Sequence, residues 1–103
     1  MGKLTNLNPF TQTAQAIISG MTHPEQGKVA VIPHGLTTSK IQRLDGLVVL
    51  NATDLVPPNV TYSSSLQFQL TVAGPNVHVH NMPGNSSSIL NRPIRIVIDY
   101  LAT

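Results

Sequence analysis

His78 and His80 are the residues whose type and spacing come closest to chemistry. They sit two apart in Asn76-Val77-His78-Val79-His80-Asn81, and residues two apart on a strand point the same way, so both imidazoles face one side. One chain supplies only this pair, which is short of what a zinc or iron site needs. Around a three-fold axis the pair repeats into an octahedral set, and a metal ion there is the one cofactor the sequence suggests. Against it stands the plainer reading, in which the two are half-exposed polar residues on the non-core face of a strand. His23 and His34 join such a site only if the fold brings them near.

Other combinations are weaker. Ser, His and Asp are all present, yet no Gly-x-Ser-x-Gly elbow appears, and a serine nucleophile needs a base in reach and a third group to orient it. A glycosidase pair must come from Glu25, Asp45, Asp54 and Asp99, none of which has surroundings that suggest burial. Asp45-Gly46 reads as a turn before a strand beginning at Leu47. Gly35 and Gly46 stand singly, so no glycine-rich phosphate cradle forms. The triplets at Asn51, Asn59 and Asn85 match a glycosylation acceptor and follow from a composition rich in Asn, Ser and Thr. The expectation is a protein that is not an enzyme and has no cofactor beyond that ion. Residues suited to a sugar-binding surface are Asn81, Asn85, Arg92 and Tyr62, with His80, Arg95 and Tyr100 nearby in type. For the last two the plainer reading is a core Tyr100 and an Arg95–Asp99 pair.

The elements that position these residues are strands. Leu66 to Val72 alternates throughout, with Leu66, Phe68, Leu70 and Val72 on one face and Gln67, Gln69 and Thr71 on the other. The last segment repeats the pattern, Ile94, Ile96, Ile98 and Tyr100 alternating with Arg95, Val97 and Asp99. Ala73-Gly74-Pro75-Asn76 joins the Leu66 strand to the His78 strand as a hairpin. Lys28 to Ile32 is a strand that stops at Pro33, and Gly46 to Asn51 is another, whose run Leu47-Val48-Val49-Leu50 suggests burial on both faces, one against the core and one against another subunit or the N-terminal segment. Thr11 to Met21 fits a helix or a strand, and its all-β company favours strand. Pro57-Pro58 breaks the middle, and Asn81 to Ser88 is a turn-rich loop.

Only 10% of the 103 residues are charged, with a formal net charge of +2; about a quarter is usual. Lys3, Lys28, Lys40, Arg43, Arg92 and Arg95 are scattered, so nucleic acid is not an expected partner. Apolar runs such as Leu47–Leu50 stop at four residues, and MGKLTNLNPF has no apolar signal-peptide core, so neither a membrane span nor a signal peptide is expected. With no Cys, disulfides and thiolate metal sites are excluded. A chain of this size buries only about 60–65% of its unfolded surface, which makes oligomerisation the expected extra source of stability.

The run Val29-Ala30-Val31-Ile32-Pro33-His34-Gly35-Leu36, the later strands at Phe68–Val72 and Val77–His80, and the closing Pro93-Ile94-Arg95-Ile96-Val97-Ile98-Asp99-Tyr100 resemble small β-sandwich domains of bacteriophage tail fibres and related virion appendages. The resemblance covers about residues 27–100. It implies an all-β, antiparallel, jelly-roll-like sandwich that assembles as a trimer, with His34, Gly35 and Leu36 as a structural turn. There His34 supports the loop by hydrogen bonds and Gly35 permits its backbone angle. It further implies a non-enzymatic virion protein, released from the host by lysis, that contacts other virion proteins. At an appendage tip it would bind a host-surface glycan or protein; the alternative is a capsid decoration protein. The Thr38–Asp45 segment and the long Asn51–Ser65 connection depart from the pattern. The organisation expected is an N-terminal arm and first element over 1–26, docking on a neighbouring subunit, and a sandwich core over 27–103. Leu4, Leu7, Phe10, Leu47 and Val49 are the interface residues in this reading.

Overall fold

Ile94, Ile96 and Ile98 are each 1% exposed or less and alternate with outward residues, so the C-terminal strand, an interior strand of the larger sheet, turns one face to the core. The computed structural model describes residues 12–58, 60 and 65–102. The strands, in chain order, are β1 (Thr13–Met21), β2 (Val29–Pro33), β3 (Ile41–Val49), β4 (Leu55–Val56), β5 (Phe68–Ala73), β6 (Asn76–Asn81) and β7 (Pro93–Leu101), with one 3-10 turn at Thr38–Lys40. They form two antiparallel sheets, ordered β1-β7-β3-β4 and β2-β6-β5. The molecule is thus an all-β sandwich. Its core joins Val48, Val56 and Ile94–Ile96–Ile98 of the first sheet to Phe68, Val77 and Val79 of the second.

Thr13–Met21 is a strand, paired with β7 from Thr13↔Leu101 to Met21↔Pro93. Its inward residues Ala14, Ala16, Ile18 and Gly20 are mostly small, which lets this edge of the sheet lie close to its neighbour, and β1 is built into the sandwich of its own chain. Leu4, Leu7 and Phe10 lie outside the described residues, as does Tyr62.

One expectation fails in β3. Asp45-Gly46 is not a turn; it lies mid-strand, opposite Val97 and Ile96 of β7. Glycine is there for contact, since a Cβ on Gly46 would stand 2.9 Å from Leu70 Cδ1 of the opposite sheet and 3.1 Å from the Arg95 carbonyl oxygen. The strand therefore begins at Ile41, with an irregularity at Gln42. Within the chain the Leu47–Leu50 run alternates, Val48 fully buried in the core and Leu47 36% exposed on the outer face.

The β5–β6 hairpin closes through Gly74-Pro75, with Ala73 opposite Asn76. Gly74 has φ +58°, and a positive φ at the first loop position followed by proline's fixed negative φ has the sign pattern of a type II′ turn.

Candidate interaction surfaces

His34 is 5% exposed and holds the corner after β2. The Leu36 amide donates to His34 Nδ1 at 3.0 Å, so Nδ1 is an acceptor and Nε2 carries the proton, which it donates to the Gly74 carbonyl at 2.7 Å. Thr38 Oγ1 donates to the same carbonyl at 2.7 Å, and the His34 amide donates to the Pro75 carbonyl. Gly35 between them has φ +71°, a backbone region that disfavours a side chain. Together these bonds fasten the β2–β3 connection to the β5–β6 hairpin.

His78 and His80 face outward on β6, flanked by Val31 and Val29 of β2 and by Thr71 and Gln69 of β5. Their rings lie 5.9 Å apart, edge to face, and His80 Nε2 is 2.9 Å from Thr71 Oγ1. Among the described residues no group of three or more His, Cys, Asp or Glu could hold a metal ion, so neither His23 nor His34 completes a set in one chain.

The loop after β6 is held by hydrogen bonds from its own side chains and backbone. Asn81, expected on a ligand-binding surface, is 2% exposed, because the β6 alternation that turns both histidines out turns Asn81 in. Its Nδ2 donates to the carbonyls of His23 (2.8 Å) and Glu25 (3.0 Å), while its Oδ1 has no hydrogen-bond partner among the described residues. Asn85 Nδ2 donates to Gln67 Oε1 at 2.9 Å, and the Ser86 amide donates to Gln26 Oε1 at 3.0 Å. Buried Thr22 donates to the Ile89 carbonyl and accepts from the Arg92 amide. Most of these amides and hydroxyls satisfy backbone groups where strands end, and Ile89 is fully buried in the core. Of the residues read as suited to a sugar-binding surface, Arg92 and Arg95 have exposed side chains clear of such bonds among the described residues.

The outer face of the four-stranded sheet carries charge and apolar surface together. Gln15, Asp99 and Arg43 are cross-strand neighbours on β1, β7 and β3. Arg43 Nε meets Asp99 Oδ2 at 2.9 Å and Gln15 Nε2 donates to Asp99 Oδ1 at 3.1 Å. The ion pair is Arg43–Asp99, not Arg95–Asp99, because four residues along a strand separate side chains by about 13 Å whereas register neighbours nearly touch. The Gln15 hydrogen bond, then the Arg43 hydrogen bond, hold the Asp99 carboxyl below its ordinary range; Asp99 in turn raises Arg43. Beyond this trio stand Ile17 at 66% and Met21 at 48% exposure. Sequence reasoning missed these two. The signal was the small residues Ala14, Ala16 and Gly20, which phase β1 inward and leave the bulky ones outside.

Compared with protein-family models, curated proteins and solved structures, the chain matches none.

Proposed function

We propose that this chain is a non-enzymatic structural protein of a virion, a jelly-roll-like sandwich that works by contact with copies of itself and with neighbouring virion proteins. One observation carries the reading: large apolar side chains stand exposed on the outer faces of both sheets, Ile17 and Met21 on one and Val31 (55%) and Val29 (37%) on the other. Exposed apolar groups gathered on a face mark interaction sites more often than do single ones. The winding supports it too, since β1 pairs with β7 in one sheet and β2 with β6 in the other, the nested pairing with which a jelly roll begins and ends. Decoration or joint-forming is preferred to receptor binding, because the amides of Asn81 and Asn85 serve the fold. Exposed Arg92 is what keeps a receptor-binding tip as the second reading.

The assembly proposed is three-fold, with the β2–β6 face towards the axis and His78 and His80 of each chain near it. Light scattering coupled to size exclusion, with and without EDTA, tests this. The expected mass is a multiple of three times 11.0 kDa. Its loss in EDTA would assign the histidines to a shared metal ion, and its persistence would leave them as plain contact residues. A chain that stays monomeric at high concentration would sink the structural reading.

A further inference from the structure

Register places Ile17, Val97 and Asp45 in one row across β1, β7 and β3, and Ser19, Arg95 and Leu47 in the next, all on the outer face of the four-stranded sheet. Ile17, Leu47, Asp45 and Arg95 are exposed, and a shallow depression of about 290 Å³ opens among them with Val97 on its lining. In the adjoining row Arg43 and Asp99 neutralise each other. Arg95 and Asp45 have no ion-pair partner among the described residues; Asp45 Oδ1 accepts only the neighbouring Gly46 amide, at 2.8 Å. The face therefore offers an apolar centre, one unpaired cation and one unpaired anion, with no net charge. A polyanion or an anionic membrane selects for net positive charge, which this face lacks. A surface that carries both signs beside an apolar centre is complementary to itself, as a two-fold contact requires, since each residue then meets its counterpart's partner.

We infer that this face binds a second copy of the chain about a two-fold axis. An axis passing between Asp45 and Arg95 lays each Arg95 against the other copy's Asp45, so two ion pairs flank an apolar contact made by Ile17, Val97 and Leu47. The contact is separate from the three-fold one proposed on the other sheet and does not depend on it.

The test compares solution masses by light scattering, with circular dichroism confirming that each variant is folded. Wild-type protein is expected to have twice the mass of Leu47→Glu. Asp45→Arg and Arg95→Asp are each expected to halve the mass as well, and combining them should restore it, because the reversed pair is again complementary. A wild-type mass divisible by three that none of these variants lowers overturns the pairing and leaves the three-fold reading intact. A two-chain mass that Leu47→Glu lowers to one chain supports the pairing and overturns the three-fold reading. Failure of the double reversal to restore what the single reversals remove overturns the Arg95–Asp45 register.

Discussion

His34 shows how one side chain can hold two loops. It accepts from Leu36 and donates to Gly74 from opposite ring nitrogens, so both contacts require one neutral tautomer. Removing a buried partner leaves an amide unsatisfied, at about 1–3 kcal/mol. His34→Ala should therefore lower unfolding stability by that amount, read as the urea midpoint with the slope unchanged. Asp99 acts through pH. Its carboxyl titrates lower in the folded chain than its ordinary value of 3.8, because Gln15 and Arg43 bond the ionised form. A depressed folded value means that the stabilisation is complete above the unfolded value and disappears as pH falls through the folded one. Wild-type protein should thus lose more stability between pH 5 and pH 2 than Asp99→Asn does, with urea midpoints measured across that range; parallel curves would refute the coupling.

At the scale of the element, β3 and the loop after β6 carry the lessons. A side chain at Gly46 must push aside Leu70 or the β7 backbone, since its nearest neighbours stand at 2.9 and 3.1 Å. Overpacking of this kind costs about 1–3 kcal/mol, so Gly46→Ala should lower the melting temperature. Asn81 ties the end of β6 to residues 23–25 through two hydrogen bonds. Asn81→Leu keeps the bulk, removes the donor and should destabilise by about 1–3 kcal/mol. A ligand-binding Asn81 would instead leave the melt unchanged. The β5–β6 hairpin was legible because Gly-Pro between two alternating runs leaves few backbone solutions. Asp45-Gly46 misled because the same dipeptide serves a turn or a close approach, and only the presence of Leu70 across the sandwich distinguishes them.

For the whole molecule, the proposed contacts make stability depend on concentration, since association that favours the folded state raises the melting point by mass action. A tenfold increase in wild-type concentration should raise Tm, and Leu47→Glu should weaken that dependence; a Tm flat in concentration for wild type would argue against any assembly. The sequence by itself determined what is local and periodic. Alternation at Phe68–Val72 and Ile94–Tyr100 specified strands and their inward residues, because a one-residue shift would turn every apolar side chain to water. The same parity put His78 and His80 outward. Tertiary structure alone decided what depends on which strand lies beside which. β7 runs between β1 and β3, so Asp99 meets Arg43 and Gln15, residues distant in the chain, and Arg95 has no ion-pair partner among the described residues. It also decided that Asn81 is a fastening and that Ile17 is exposed, since a side chain's surroundings come from sheet order and register, which no single stretch of sequence contains.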